Sequence, residues 1–536
     1  MSSSGHYEAE FLEEVRMCRR DGVPVVALAD DLSGAAEVAA LLRLPARLVL
    51  NPADLGVSGT GGEALVVDLD SRYLDGAAAA DAVRAVLGAV REPSPAAGAG
   101  TETDPTSSRA FRAVKFPEAY GSPLWFKKCD SLLRGPVGAE AAAFAEGAGV
   151  LVIATALPAA RRVVRGGVVL ADGVPLHASP AWRAEERAAP RSVAEAMAPL
   201  PATDVPLETV RRGPIALAGR FREVAAHGRH PVCDAETDTD LTVIATAAAL
   251  LGPGTRLLGS GGLAAALGRL LAARRADGAA ARAPAPAAGR PMTANPFATE
   301  AAAPASPGPP WAPSAAGTAS VTPPGTAGPT TVEAAPAPAA GTGAVSPVVT
   351  VAAGAAVPVQ GGTWSGGFVE GAAAVRDTPP LLVVAGSAEP GVVEQVGRLV
   401  AAGARHVALT PRQLAGDEDV VLPRLAAGTV TVLSVDGSGG VRPGAARAIV
   451  AGLARTVSAL PGRPDLVLTG GETARRVLDS LGVTTLRPVG EIHHGAVHSK
   501  TTDGRSVVTR PGSFGGPDSF VRIAAALRPS QQGVTQ

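Results

Sequence analysis

The sequence predicts an α/β protein of two domains, each with a mainly parallel sheet, joined by a long disordered linker rich in Ala, Pro and Gly. Short apolar strands alternate with alanine-rich helices in two separate regions, a pattern typical of parallel α/β sheets. Between these regions, residues 273–377 contain too few large apolar groups to offset the entropy lost on ordering. The length of 536 residues also exceeds that of most single domains.

These changes in composition divide the chain into five parts. We predict an N-terminal tail at 1–22, a first α/β domain at 23–272, the linker at 273–377, a second α/β domain at 378–528 and a C-terminal tail at 529–536. The predicted strands are VVALA, ARLVL, ALVVDL, LWFKKC, VLVIATAL and RLLGS in the first domain, and PLLVVAGS, HVAL, TVTVLSV and DLVLTGG in the second. The stretch REPSPAAGAGTETDPTSSR predicts a surface loop in the first domain.

Charge and composition argue against several classes of protein. The net charge of −1 gives no basic surface for nucleic acid, so we expect no nucleic-acid partner. The three cysteines are far apart and show neither metal-ligand spacing nor a disulfide framework. The first residues lack the pattern of a secretory signal, and no run of about 18 strongly apolar residues predicts a membrane span. We therefore expect a cytoplasmic protein without a membrane partner.

The first motif, ADDLSG, places Asp30 and Asp31 directly after the first predicted strand. Ligands of open α/β sheets bind beyond the carboxyl ends of the strands, which is where this pair lies. Two adjacent carboxylates suit polyol binding, a general base for a hydroxyl, or a contact with Mg²⁺. Ser33 offers a hydroxyl, and Gly34 allows a close approach. The alternative is that the aspartates only cap the following helix.

The second motif, FKKCDSLLRGPVGAE, brings Lys128, Asp130, Ser131 and Arg134 to the end of another strand. Cations beside a glycine turn at a helix start form an anion site, for a carboxylate or a phosphate. The alternative is a salt-bridge network on the surface.

The third motif, RGGVVLADGVPL, predicts a β-hairpin with Asp172 and Gly173 as its turn. By itself this hairpin is structural. Arg161 and Arg162 precede it at a strand end and are candidates to face the site.

Four glycine turns have the geometry that binds phosphate, because each joins a strand to a helix start. They are GSGGLAAAL, VVAGSAEPG, LVLTGGETARRVL and RPGSFGGPDSF. No Walker loop and no G-x-G-x-x-G fingerprint occurs, and each turn taken alone is equally compatible with a structural role. The histidines of EIHHGAVHSK predict no metal site, because Gly495 interrupts any helix that would align them.

These motifs, in this order, resemble those of the four-carbon acid sugar kinase family, which includes kinases for 3-oxo-tetronates, threonate and erythronate. The similar segments are 29–35, 128–138, 156–167, 259–262, 385–387, 469–473, 490–495 and 510–515. T-G-G-[DE]-T at 469–473 and G-E-I-x-x-G at 490–495 match fully. The chain departs from the family pattern at Leu132, Pro136, Ala160, Ala385 and at Arg510–Pro511.

The resemblance implies a kinase that uses ATP and Mg²⁺ to phosphorylate a hydroxyl of a small acid sugar. The first domain would bind the sugar and the second the nucleotide. The implied catalytic residues are Asp30, Asp31, Lys128, Asp130 and Arg134, and the implied substrate-binding residues are Ser33, Gly34, Ser131, Arg161 and Arg162. The implied nucleotide-binding residues are Ser260, Gly261, Gly386, Ser387, Gly470, Gly471, Glu472, Thr473, Gly512, Ser513 and Gly515.

Two other functions stay open at this point. A non-catalytic sensor of acid sugar or nucleotide would result if the departures from the pattern disable phosphoryl transfer. An NAD-dependent dehydrogenase shares the α/β alternation and the glycine turns, but no dinucleotide fingerprint supports it. The oligomeric state is open between a monomer and a homodimer.

Overall fold

A 15-stranded sheet organises the protein in the computed structural model. The structure describes residues 24–55, 63–90, 122–182, 185, 187–282, 378–386, 390–420, 422–437, 446–512 and 515–528. The predicted tails, the loop at 91–109 and most of the predicted linker lie outside these residues. No helix among the described residues is long and apolar enough to cross a membrane.

The first domain contributes eight strands of this sheet, and neighbouring strands within it are all parallel. Their order is β2-β3-β1-β4-β11-β5-β10-β9. The strands of the domain are β1 Val25–Ala29, β2 Ala46–Val49, β3 Ala64–Asp68, β4 Leu124–Lys128, β5 Val150–Ala154, β6 Arg162–Arg165, β7 Val168–Ala171, β8 Val174–Pro175, β9 Ala202–Val205, β10 His230–Cys233 and β11 Thr255–Gly259. The helices are α1 Leu32–Leu41, α2 Gly76–Ala89, α3 Val137–Ala145, α4 Val193–Ala196, α5 Leu207–Val210, α6 Pro214–Ala226, α7 Asp238–Ala249 and α8 Gly261–Arg282.

The second domain contributes the other seven strands, in the order β13-β14-β12-β15-β18-β17-β16. The first five are parallel neighbours, and the last two pairings are antiparallel. The strands are β12 Leu381–Ala385, β13 Arg405–Leu409, β14 Val430–Val435, β15 Asp465–Thr469, β16 Thr485–His493, β17 Ala496–Thr501 and β18 Ser506–Arg510. The helices are α9 Pro390–Ala401, α10 Pro411–Ala415, α11 Ala446–Ser458, α12 Gly471–Ser480 and α13 Ser519–Leu527.

Continuous apolar runs form the central strands because helices cover both faces of the sheet. VVALA in β1 and VLVIA in β5 are buried at every position. The fold class is confirmed, and every strand predicted from the sequence is a strand of the sheet.

The sheets of the two domains are joined edge to edge, which the sequence did not predict. Strand β16 pairs antiparallel with β2, with Thr485 opposite Val49 and Leu486 opposite Leu48. Leu48, Val49 and Leu486 are fully buried, so apolar packing stabilises this junction as well as the backbone hydrogen bonds.

Two local features refine the predictions. Helix α8 runs to Arg282, ten residues past the predicted boundary at 272, because its alanine-rich continuation favours helix. The predicted hairpin is present as β7 and β8, with Asp172 and Gly173 both at positive φ as a type I′ turn requires. Strand β6 adds a third strand through a second turn at Gly166 and Gly167.

Candidate functional site

The site lies at the carboxyl ends of three neighbouring strands of the first domain. Strand β1 pairs with β3 on one side and with β4 on the other, so the residues that follow these strands converge. Asp30 and Asp31 follow β1, residues 68–72 end and follow β3, and Lys128 ends β4. All three were strands of the predicted sheet, and parallel pairing brings their ends to one edge.

Arg72 joins the two aspartates. Its Nε donates to Asp30 Oδ2 at 2.8 Å, and its Nη1 donates to Asp31 Oδ2 at 2.8 Å. Burial works to raise the pKa of Asp30, but the charges of Arg72, Lys127 and Lys128 outweigh it, so the pKa lies below its usual range. The other oxygen, Asp30 Oδ1, is buried and has no hydrogen-bond partner among the residues that the structure describes. Sequence reasoning missed Arg72, although it follows the predicted strand ALVVDL within four residues.

The capping interpretation holds for one aspartate only. Asp31 is the N-cap of α1, and its Oδ1 accepts a hydrogen bond from the Gly34 backbone N–H at 2.8 Å. Asp30 caps no helix and is 1% exposed, so a capping role does not account for it. Ser33 lies in the first turn of α1, and its buried hydroxyl oxygen likewise has no hydrogen-bond partner in the described ranges. The motif therefore leaves two buried polar atoms available to a ligand.

Lys128 has a buried carboxylate partner that the sequence analysis did not identify. Its Nζ lies 3.5 Å from Glu37 Oε2 and donates to the Cys129 carbonyl at 2.9 Å. Burial works to lower the pKa of Lys128, but Glu37 and the nearby aspartates outweigh it, so the pKa is raised. Glu37 itself packs against Gly261, where a Cβ would lie 2.7 Å from Glu37 Cδ.

Asp130 and Arg134 form a bidentate ion pair. Arg134 Nε donates to Asp130 Oδ2 at 2.7 Å and Nη2 donates to Oδ1 at 2.8 Å. Burial opposes the ionised form, but the hydrogen bonds and charge of Arg134 hold the pKa of Asp130 well below its usual range. Beside them, Arg162 Nη1 donates to Ser131 Oγ at 2.6 Å. The predicted cation cluster is therefore a network, but one that is largely buried rather than on the surface.

A second buried network lies behind the aspartates. Lys127 Nζ lies 3.0 Å from Glu140 Oε2, and Ser71 Oγ donates to Glu140 Oε1 at 2.5 Å. Burial raises the pKa of Glu140 despite the charge of Lys127. The network fixes Ser71 and with it the neighbouring Arg72.

The second domain meets the aspartates at the start of α12. Gly470 follows β15 with φ 88°, and Gly471 begins the helix. A Cβ on Gly471 would lie 2.9 Å from Asp31 Cγ and closer still to Oδ2, so the Asp31 carboxylate lies directly against this turn. Burial raises the pKa of Glu472, the next residue, although Arg476 and Arg447 oppose the shift.

Two ion pairs join α12 to the first domain. Arg475 Nη1 lies 3.0 Å from Asp68 Oδ2, and Arg476 Nη2 lies 2.6 Å from Asp70 Oδ2. Asp68 is fully buried, and burial raises its pKa to about 7 although Arg475 opposes the shift. None of these four residues was singled out from the sequence.

Arg510 organises the remaining glycine turns of the second domain. Its guanidinium donates to Gln395 Oε1 at 2.6 Å and to Ser519 Oγ at 2.6 Å, and it lies 4.4 Å from the ring centroid of Phe520. Burial lowers the pKa of Arg510 to about 10. The Gly470 N–H donates to the Arg510 carbonyl at 2.9 Å, which connects this network to the turn before α12.

The other second-domain residues that were expected to bind the nucleotide differ in their surroundings. Gly386 faces Thr473, where a Cβ would lie 3.2 Å from Thr473 Cβ, so these two residues of the second domain are in close contact. Gly512 and Gly515 follow Arg510 near the same turn, and Gly515 lies against Ser519. Ser387 and Ser513 lie outside the described residues.

Ser260 and Gly261 belong to the first domain and not to the second. The Ser260 hydroxyl donates to the Ala156 carbonyl at 2.6 Å and accepts from the Gly262 N–H at 3.1 Å, so its contacts are internal. Gly261 is next to Glu37.

The structure does not bring Arg161 to the cluster. Its side chain is 81% exposed and pairs with Asp172 of the hairpin, because its backbone turns away at φ 53°. The histidines serve as hydrogen-bond partners: His493 contacts Ser519 and His498 contacts Ser506. Among the described residues, no group of three or more His, Cys, Asp or Glu is placed to hold a metal ion.

Comparison with protein families assigns both domains. A family described as a sugar-binding N-terminal domain matches residues 100–267, and one described as a nucleotide-binding C-terminal domain matches residues 382–520. Together these matches cover more than half of the chain.

Individual relatives agree with this assignment. A D-threonate kinase of Cupriavidus necator is 33% identical over 230 residues, which are 42% of this chain and 49% of the relative. A D-threonate kinase of Salmonella typhimurium is 32% identical over 237 residues, which are 42% of this chain and 48% of the relative. The match thus spans about half the length of these curated relatives. The crystal structure of a Haemophilus influenzae protein of the DUF1537 family has the same fold, with a TM-score of 0.55 at 17% identity over 94% of this chain and 99% of that one.

Proposed function

This chain belongs to the four-carbon acid sugar kinase family, and on that premise we propose that it transfers a phosphoryl group from ATP to a hydroxyl of a 3-oxo-tetronate, threonate or erythronate. One observation carries the proposal: the Asp31 carboxylate at the end of β1 lies against Gly471 at the start of α12. This contact brings a pair of carboxylates suited to a polyol beside a helix N-terminus suited to phosphate. Phosphoryl transfer needs mainly positioning and charge neutralisation of its two substrates, which this arrangement can supply.

The start of α12 fits the phosphates of a nucleotide. Its N-cap residue, Gly470, has no side chain to accept hydrogen bonds from the first-turn N–H groups, so these donors are available to an anion. Bound at this turn, ATP would supply the phosphoryl group. Gly386 and Gly512 follow β12 and β18, the parallel neighbours of β15, and Gly386 is in close contact with Thr473, which supports the assignment.

The residues present supply few ligands for Mg²⁺. In kinases this ion binds one or two carboxylates together with the phosphates of the nucleotide. Asp31 lies against the α12 turn and Asp30 precedes it in the chain, and each already has Arg72 as a partner at 2.8 Å. The phosphates would therefore contribute most of the coordination, and Asp31 is the candidate protein ligand.

The acid sugar would bind to the buried polar atoms of the first domain. Asp30 Oδ1 and Ser33 Oγ are buried and have no hydrogen-bond partner within the described part of the chain, and each can bond to a substrate hydroxyl. Asp31, which faces both the sugar site and the α12 turn, would accept the proton of the reacting hydroxyl or orient it. The cations Lys128, Arg134 and Arg162 would hold the substrate carboxylate.

We propose that Asp130 orients one of these cations. Arg134 donates to both of its oxygens, at 2.7 and 2.8 Å, and Oδ2 also accepts from the Leu132 and Arg134 backbone N–H groups. With four hydrogen bonds to its carboxylate, Asp130 would orient this guanidinium and not contact the substrate. The low pKa of Asp130 keeps the carboxylate ionised, and the ion pair fixes Arg134 in one orientation.

The test is ADP release with MgATP and a panel of acids: 3-oxo-tetronates, D- and L-threonate, D-erythronate and larger aldonates. We expect turnover with one four-carbon acid and its loss in Asp31→Asn. The matched control is Asp172→Asn, an exposed aspartate of the hairpin whose positive φ suits asparagine. Binding of ATP without turnover of any acid would refute the kinase and favour a non-catalytic sensor.

A further inference from the structure

One short segment, residues 68–72, contacts both halves of the candidate site. It ends and follows β3, between the aspartates that end β1 and the helix α12 that carries the nucleotide turn. Its residues are Asp68, Leu69, Asp70, Ser71 and Arg72. The side chains of Asp68 and Asp70 contact α12, and those of Ser71 and Arg72 contact residues of the first domain.

On the nucleotide side, the segment holds α12 through its two acidic residues. The pair between Asp68 and Arg475 is buried, with side-chain exposures of 0% and 12%. The pair between Asp70 and Arg476 is partly exposed, at 26% and 44%. Arg475 and Arg476 lie one turn after Gly471 on the same helix, so the two pairs fix the helix whose N-terminus would bind phosphate.

On the sugar side, the same segment holds the aspartates. The backbone N–H groups of Ser71 and Arg72 donate to the Asp30 carbonyl at 3.0 and 3.1 Å. The Arg72 side chain donates to Asp30 and Asp31, and the Ser71 hydroxyl donates to Glu140. These contacts fix the carboxylates relative to the backbone of the segment.

The backbone of residues 68–72 is constrained by a contact within the segment and by its own conformation. The Asp70 N–H donates to Asp68 Oδ1 at 3.1 Å, and Asp70 has φ 49°, a conformation that few residues adopt. A displacement of α12 would therefore act on Asp70 and reach Arg72 two residues later. The same contacts would transmit a displacement of the aspartates in the other direction.

We infer that residues 68–72 couple nucleotide binding to acid binding, with Asp70 and Arg476 as positioning residues. The inference rests on the proposed function, because it assumes that the two substrates bind on either side of the segment. Binding of the acid to the aspartates stabilises their contacts with Arg72, which favours the position of α12 that binds the nucleotide. By linkage, the nucleotide tightens binding of the acid by the same factor.

The experiment is calorimetric titration of the full chain with AMP-PNP and Mg²⁺, with and without a saturating concentration of the acid that turns over fastest in the panel. The titration is run at pH 8, above the pKa of Asp68. We expect the acid to tighten AMP-PNP binding at least about 5-fold in the unmodified chain. In Asp70→Asn and in Arg476→Gln the factor should fall below about 2-fold, and the double variant should resemble either single variant.

The controls separate coupling from a general loss of structure. Glu146→Gln removes a similar exposed pair with Arg84, which lies within the first domain and should leave the coupling factor unchanged. If Asp70 had only a structural role, Asp70→Asn would bind each ligand more weakly in the absence of the other and would have a lower thermal midpoint. The factor by which the acid tightens AMP-PNP binding would stay unchanged. Exchange of the charges, Asp70→Lys with Arg476→Glu, should restore part of the coupling.

The outcomes distinguish the two proposals. If no acid turns over, the proposed function is refuted and this inference with it. If an acid turns over but does not change AMP-PNP affinity, or changes it by the same factor in Asp70→Asn and Arg476→Gln as in the unmodified chain, only the coupling is refuted.

Discussion

Gly471→Ala tests the contact on which the proposed function rests. The new Cβ would lie 2.9 Å from Asp31 Cγ, roughly 1 Å closer than the separation of about 3.5–4.0 Å that carbon atoms prefer. Asp31 cannot simply rotate away, because one oxygen accepts from Gly34 and the other from Arg72, both at 2.8 Å. Either α12 or the aspartate must therefore move by about this distance.

A displacement of about 1 Å between reacting groups costs roughly 100-fold in rate, or about 2.7 kcal/mol of transition-state stabilisation. We therefore expect kcat/KM for ADP release to fall about 100-fold. The overpacking should also destabilise the protein by about 1–3 kcal/mol, measured by thermal unfolding.

Gly397→Ala is the matched control. Gly397 lies in α9, a Cβ there meets no atom within 4 Å, and alanine should be neutral or slightly stabilising in a helix. If Gly471→Ala keeps kcat/KM within about 3-fold of this control, the Asp31 carboxylate is not held against the nucleotide turn. The geometric basis of the proposal would then be wrong.

Two further predictions concern stability. Asp68 has a folded-state pKa of about 7 against 3.8 for the free side chain, so its protonated form favours folding below about pH 3.8 and this contribution is lost as the pH rises through 7. Between pH 4 and 7.5, the free energy of unfolding of the unmodified chain, measured with denaturant, should fall by up to about 4 kcal/mol relative to that of Asp68→Asn. If the free energies of unfolding of the two proteins change in parallel with pH, the shifted pKa of Asp68 is contradicted. Arg510→Lys should cost about 1–3 kcal/mol, because an ammonium cannot reach Gln395 and Ser519 together. The exposed Arg412→Lys serves as its control, and equal thermal midpoints would rule out this role for Arg510.

Local patterns in the sequence predicted much of the fold and part of the site. Central strands such as VVALA could be recognised because burial on both faces requires a continuous apolar run. Asp30 and Asp31 could be recognised because two adjacent charges directly after such a run have few structural reasons to be there. Lys128 and Arg134 were recognised by a different pattern, cations beside a glycine turn at a helix start.

The partners of these residues could not be predicted in the same way. Glu37 lies inside an alanine-rich helix, and Glu140 lies in another, where an isolated carboxylate resembles a solvent-exposed residue. Only the three-dimensional packing shows that both are buried against lysines. Arg72, in contrast, could have been recognised as a partner of the aspartates, because it closely follows a predicted strand.

Local sequence patterns also could not predict the pairing of the two domains. Strand β16 contains polar residues and a proline, so TLRPVGEIH does not read as a strand of a buried sheet. Its partner β2 lies hundreds of residues earlier, and nothing in either segment identifies the other.

The junction between β2 and β16 has a consequence for biosynthesis. The ribosome completes β2 long before β16 emerges. Until then, the edge of β2 that pairs with β16 in the folded protein is apolar and unpaired. Pairing between segments so distant in sequence is also slow, since a long loop must close first. The unpaired edge of β2 can therefore associate with the edge of another chain until the second domain has been synthesised and folded. Pairing of β16 with β2 then covers this edge.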